Sequence, residues 1–300
     1  MSISKNNKRQ ERCGKRSSKS DGGPSRRGAK GGRSGSGCRQ RSQGSGGRGG
    51  SGGRGGSGGR GGSGGKVALV PIVDVICLTG GKCGSTTLLE TFRQNGYKCI
   101  KAHFKKELVK RYSYDGLIDL INRSSENKKL YIIDSYRTPI ERKISSFFQN
   151  INVHVPSYKN KSCEELIDIF NTTHLDNIEE YHSINPIMEE YGVEPFNTFD
   201  FFKKYVIKEV GNIIYIKLLF SNINNWEENL SEIFNKKIII KKGNISKNKE
   251  YYSIYNKFKL MYKTKKSYIN NILKNDKQFR IFNTLEQQDI YINKYLKSAF

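Results

Sequence analysis

The stretch that most constrains this chain is Cys77-Leu78-Thr79-Gly80-Gly81-Lys82-Cys83-Gly84-Ser85-Thr86-Thr87-Leu88. An apolar run over residues 67–78 leads into it and reads as a buried strand. Gly80, Gly81 and Gly84 let the chain turn tightly with its amides exposed. Ser85, Thr86 and Thr87 then open a helix that continues through Leu88-Leu89-Glu90-Thr91-Phe92. A strand, a glycine-rich turn and a helix N-terminus make an anion cradle, because unpaired amides and the positive end of the helix dipole face the same point. The usual Walker A loop places Lys directly before Ser or Thr. Here Lys82 precedes Gly84-Ser85-Thr86, so the motif reads Lys-x-Gly-Ser-Thr.

Charge and glycine are concentrated ahead of this stretch. Residues 1–66 hold 17 Lys and Arg against two acidic residues, which is +15 of the chain's +25, and 23 of its 31 glycines. The hexamer Ser45-Gly46-Gly47-Arg48-Gly49-Gly50 is followed by two full copies and a truncated one ending at Lys66. With almost nothing to bury, such a segment cannot offset its ordering entropy and is expected to be disordered. It reads either as a solubilising linker or as an Arg-Gly segment that contacts nucleic acid or another polyanion. Its arginines have no interleaved aromatics, so base stacking and sequence specificity are not expected.

Residues 67–300 are then one globular domain of ordinary size. The first residues are polar and basic, unlike a signal peptide. The run 67–78 is too short to span a bilayer and contains Pro71 and Asp74, so no transmembrane segment is expected. Cys13, Cys38, Cys77, Cys83, Cys99 and Cys163 form no Cys-x-x-Cys pair, and no His cluster accompanies them. The expected setting is intracellular and cytoplasmic, with reduced thiols and no metal.

Further along, strand character recurs at 97–104, 129–134, 212–219 and 237–240. Helical patterns occupy 116–123, 139–148, 162–170, 177–191, 198–206 and 226–234. The Lys/Tyr-rich C-terminal third is helical and ends in a helix capped at Thr284. Strands alternating with helices predict an α/β fold, a three-layer arrangement with a mainly parallel sheet flanked by helices. Ligands of such sheets bind beyond the carboxyl ends of the strands, where the Gly80 turn lies.

A second constellation follows the strand at 129–134, in Arg137-Thr138-Pro139-Ile140-Glu141-Arg142-Lys143-Ile144-Ser145. Arg137 leaves the strand's carboxyl end, and Ser145 lies about two turns into the next helix. Arg142 and Ser145 are three apart and share a face. A guanidinium fork and a hydroxyl converging there suit a second phosphate.

The two motifs together resemble the sulfotransferase superfamily, which has the P-loop fold. Carbohydrate sulfotransferases use Arg-x-Pro-x-x-Arg-x-x-Ser for a nucleotide 3′-phosphate after a Lys-x-Gly-[Ser/Thr]-[Ser/Thr] loop. The resemblance runs from about Asp74 to Lys259. The segment 244–253, Asn-Ile-Ser-Lys-Asn-Lys-Glu-Tyr-Tyr-Ser, also resembles a signature of capsular polysaccharide synthesis proteins, with Glu250-Tyr251 in place of a single Trp. The resemblance implies 3′-phosphoadenosine 5′-phosphosulfate as sulfuryl donor, no metal, and a carbohydrate or other hydroxyl acceptor. It implies that Gly81, Lys82, Cys83, Gly84, Ser85, Thr86 and Thr87 hold the 5′-phosphosulfate, with Lys82 stabilising the leaving oxygen. Arg137 and Ser145 would take the 3′-phosphate. His103, just after the second strand, is the candidate base. Lys101 stands where some members carry a catalytic Glu, a departure from the pattern. His154, His174 and His182 fall in the variable acceptor region.

Two other readings remain open. Leu130-Tyr131-Ile132-Ile133-Asp134 imitates a Walker B strand, so a P-loop NTPase or small-molecule kinase would place Asp134 near magnesium. The basic tail and the Lys-rich segment 257–277 would suit a non-catalytic protein that binds nucleic acid or another polyanion.

Overall fold

The four residues Val75-Ile76-Cys77-Leu78 form β1 (Val75–Leu78) and are all buried, the pattern of a strand covered on both faces. In this computed structural model the described residues are 70–175, 184–241, 243, 246–273 and 276–296. The expectations for the tail 1–66, for residues 67–69 and for 177–183 with His182 lie outside them.

After β1 the chain makes α1 (Ser85–Gln94) and β2 (Cys99–Ala102). It then makes α2 (Lys105–Tyr112), α3 (Tyr114–Ser125) and β3 (Leu130–Tyr136). Because β2 and β3 pair in parallel with opposite edges of β1, the turn after β1 sits where the strand order reverses. The sheet is completed by β4 (Tyr205–Val210) and β5 (Ile213–Leu219), giving the order β2-β1-β3-β5-β4. Only β4 runs antiparallel, as an edge strand hairpinned to β5.

Strand alternation sorts the core into two layers. Val75, Cys77, Ile133, Ile214, Ile216 and Leu218 pack with Leu88 and Phe92 of α1, and with Trp226 and Leu230 of α8 (Trp226–Ile233). Ile76, Leu78, Leu130, Ile132, Ile213 and Tyr215 pack on the other face with Leu108 of α2 and Leu117, Leu120 and Ile121 of α3. A third cluster is built from helices and the turns that join them, without a strand. Ile144, Phe147 and Phe148 of α4 (Pro139–Gln149) meet Phe170 of α6 (Cys163–Thr173), Phe258 of α9 (Tyr252–Met261) and Tyr291 and Tyr295 of α12 (Leu285–Tyr295). Reciprocal capping boxes start α6 at Ser162 and α12 at Thr284. Among the described residues, no helix is long and apolar enough to cross a membrane.

Three local expectations are corrected. Residues 198–206 are not a helix: Asp200 Oδ1 accepts the amides of Phe202 and Lys203, and the chain turns into β4. Residues 237–240 are extended but form no strand. Their amides go to side chains instead, Ile238 to Ser231 Oγ, Ile239 to Asn95 Oδ1 and Ile240 to Glu227 Oε2. In the C-terminal part of 177–191, helix α7 is confined to Asn185–Glu190.

Candidate active site

The Gly80 turn is shaped by two left-handed residues, Lys82 at φ 70° and Gly84 at φ 88°. Gly84 has two reasons to be glycine. Its φ is one that side chains rarely adopt, and a Cβ there would meet Trp226 Cη2 at 2.7 Å. Trp226 is held in place by its Nε1–H, which donates to the Leu219 carbonyl at 3.0 Å. The loop thus rests on an indole that comes from beyond β5. Gly84 is the N-cap of α1 and supplies no side-chain cap, so the first-turn amides of α1 have no partner inside the helix.

The carboxyl ends of β1, β2 and β3 open into a cavity of about 380 Å³. Gly81, Lys82, Gly84, Ser85, Thr86 and Thr87 line it from the loop, and Arg137 and Ser145 line it from the β3 side. His103 and Lys101 line it from the β2 side. Cys83 is the one loop residue turned away: it is fully buried, and its amide donates to the Gly80 carbonyl at 3.3 Å. Cys83 is thus the member of the expected cradle whose side chain does not line the cavity. Burial also pushes its thiol up to about 11, so it is an inert side chain at neutral pH.

The cations are distributed around the cavity. Lys82 Nζ donates to Gln149 Oε1 at 2.6 Å, across from the last turn of α4. Burial lowers the Lys82 ammonium to about 8, with further repulsion from Arg137 and Lys249. Arg137 stacks over the Phe220 ring at 4.5 Å and donates from Nη1 to the Lys82 carbonyl at 3.0 Å. Its Nε–H is buried with no acceptor among the described residues. An aimed guanidinium with a spare donor is what an anion would complete. On the opposite flank, Lys101 Nζ donates to Thr86 Oγ1 at 3.5 Å.

His103 has a defined tautomer. Its Nδ1 lies 3.1 Å from the Thr79 carbonyl, which can only accept, so Nδ1 carries the proton and Nε2 of the neutral ring is the basic nitrogen. Thr79 also joins two strand ends, since its Oγ1 donates to the Ser135 carbonyl at 3.1 Å. The His103 amide is held by Glu107 Oε2 at 2.8 Å.

Asp134 occupies a different environment. It is fully buried, pairs in register with Lys217 across β3 and β5, and its Oδ2 accepts from Lys217 Nζ at 2.5 Å. Its Oδ1 accepts the Ser135 amide at 2.6 Å. The carboxylate that would have served magnesium is thus engaged by an ammonium. His154 and His174 pack together with ring centroids 4.4 Å apart, and neither lines the cavity.

Lys101, Gln149 and Phe220 are cavity residues that motif reading did not assign to the site. Gln149 was accessible in principle, being one turn beyond Ser145 on the same face of α4. Phe220 directly follows the carboxyl end of β5, but its stacking on Arg137 depends on strand order, which no local pattern carries. No family model, curated protein or solved structure matches this chain.

Proposed function

We propose that this protein is a sulfotransferase-like enzyme of the P-loop fold. It moves a sulfuryl group from 3′-phosphoadenosine 5′-phosphosulfate to a hydroxyl, with a carbohydrate as the expected acceptor class. One observation carries the reading. Two motifs separated by fifty residues, Lys82-x-Gly84-Ser85-Thr86 and Arg137-x-Pro139-x-x-Arg142-x-x-Ser145, bring Lys82, Ser85, Thr86, Arg137 and Ser145 to the wall of one cavity. A ligand with two anionic groups accounts for both motifs lining one cavity, and the Arg137 Nε–H, which has no acceptor among the described residues, fits a phosphate oxygen.

The bound donor would supply a sulfuryl group activated as a phosphate–sulfate mixed anhydride, whose leaving group is a phosphate oxygen. The first-turn amides and hydroxyls of α1 hold the 5′ end, and Arg137 and Ser145 hold the 3′-phosphate. Lys82 sits in the loop between them and offsets the negative charge that grows on the bridging oxygen as the S–O bond breaks. His103 Nε2 takes the proton from the acceptor hydroxyl as its oxygen bonds to sulfur. Positioning and electrostatics supply most of the barrier reduction, as in phosphoryl transfer. The kinase alternative loses its main support, because Asp134 is bonded to Lys217.

A thermal-shift comparison tests the reading. Adenosine 3′,5′-bisphosphate without magnesium should raise the melting temperature, by mass action on the native state. Stabilisation by magnesium-ATP alone would replace this proposal with the kinase.

A further inference from the structure

Residues 199–204 form an unusual turn ahead of β4. Phe199 is buried and meets the Phe282 ring at 5.6 Å, edge to face. The next residues, Asp200-Phe201-Phe202-Lys203-Lys204, swing outward and return at the Asp200–Tyr205 bridge. Phe202 is 94% exposed, and Phe201 is 37% exposed. The turn is a built one. Asp200 Oδ1 accepts the amides of Phe202 at 3.0 Å and Lys203 at 2.9 Å, and the Asp200 carbonyl accepts the Lys204 amide at 2.8 Å. Its only carboxylate is thereby directed at backbone amides, while Lys203 and Lys204 stand beside the two rings. Lys277 and Arg280 of α11 (Lys277–Ile281) line the same hollow as Phe201.

We propose that this turn docks on the surface of an anionic lipid bilayer, with Phe202 and Phe201 as the inserting wedge. Two large rings on a capped turn keep a standing exposure of apolar area that packing inside the fold does not relieve. A protein partner needs about 800 Å² per side, and two phenylalanines offer at most about 300–500 Å². A bilayer interface accepts a point insertion of that size. The surrounding cations Lys203, Lys204, Lys277 and Arg280 complement acidic headgroups. Tyr205 pairs with Leu218 near the carboxyl end of β5, so the wedge stands on the edge strand at the same end of the sheet that the cavity opens from. Docking there turns that end of the sheet toward the membrane.

The test uses the full chain, with vesicles of phosphatidylcholine alone or mixed with phosphatidylglycerol. Phe202→Trp serves as reporter, because the native Trp226 is fully buried and gives a constant background. Brominated lipids should quench the reporter and shift its emission to the blue in phosphatidylglycerol vesicles. The pair Phe201→Ser/Phe202→Ser leaves every charge in place, the basic tail included. It should weaken vesicle binding by at least about tenfold with an unchanged melting temperature. Phe202→Ser alone repeats the test should the pair disturb folding. An unquenched reporter, or serine variants that bind like wild type, would mean that charge alone holds the protein and would overturn the proposal. So would a loss of self-association in the serine variants without vesicles, which would assign the turn to a second copy of the chain.

Discussion

Arg137 Nη1 donates a hydrogen bond to the carbonyl of Lys82 at 3.0 Å. That contact joins the two motifs directly: the guanidinium that lines the cavity from the β3 side also fixes the backbone of the loop. It also places two cations side by side, which is one reason why the Lys82 ammonium is held at about 8, after burial.

Lys82 is the non-glycine residue of the loop with a left-handed backbone, at φ 70°. For an L-residue that conformation costs roughly 1–2 kcal/mol. Lys82→Gly should relieve it, partly offset by the greater freedom of glycine in the unfolded chain, leaving the variant as stable as wild type or up to about 1 kcal/mol more stable. On the proposed mechanism turnover should nevertheless fall by orders of magnitude, since the charge it sets opposite the leaving oxygen is gone. Denaturant midpoints and initial rates measure both effects. A glycine variant with normal turnover would remove Lys82 from the mechanism.

The depressed Lys82 ammonium gives a pH signature. Without ligand, the unfolded chain keeps this proton up to the ordinary lysine value of 10.5, whereas the folded protein releases it at about 8. Stability from this group therefore rises with pH between those values. A bound anion favours the ammonium, so binding takes up a proton above about pH 8 and affinity falls as pH rises through that value. Titration calorimetry of adenosine 3′,5′-bisphosphate in buffers of different ionisation enthalpy reads the uptake. Lys82→Gln should abolish it, and equal uptake in that variant would assign the proton elsewhere.

Arg137→Ala should weaken adenosine 3′,5′-bisphosphate far more than adenosine 5′-monophosphate. A charge-assisted hydrogen bond is worth ~1.5–3 kcal/mol, so the selective loss is roughly ten- to hundredfold. Arg137→Lys should recover only part of it, because the ammonium lacks the fork that reaches the Lys82 carbonyl and a ligand together. Lys82→Ala should weaken both nucleotides alike. Equal losses for the two ligands in Arg137→Ala would show that Arg137 does not read the 3′-phosphate.

The parts of the site legible in the sequence are those written locally. Gly84, the hydroxyl run at the start of α1 and Pro139 at the start of α4 act within a few residues of themselves, and the structure has a turn or a helix start at each. The errors arise where tertiary partners decide. Phe199, Phe202 and Val206 have helical spacing, yet Asp200 captures the intervening amides and Tyr205 onward pairs with β5. Ile238, Ile239 and Ile240 look like a strand, but side chains of α1's cap and α8 take their amides before any strand can. The Asp134–Lys217 pair spans β3 and β5, so it exists only once the register of those strands is known.

That pair supplies the last prediction. Both side chains are at most 1% exposed, and Lys217 also lies 4.9 Å from the Phe282 ring centroid. Burial lowers the Lys217 pKa while Asp134 opposes the shift, so the ammonium depends on its partner. Removing one member leaves an uncompensated buried charge, and Asp134→Ala or Lys217→Ala should each destabilise the fold by about 3–5 kcal/mol. Asp134→Leu combined with Lys217→Met should be far milder, since apolar groups of similar volume need no partner. The double variant should retain binding of adenosine 3′,5′-bisphosphate, because neither residue lines the cavity. Denaturant unfolding of the single and double variants, alongside calorimetry of the double, measures both statements. If the double variant folds but no longer binds the nucleotide, Asp134 belongs to the ligand site, and the kinase reading regains the carboxylate that Lys217 now holds.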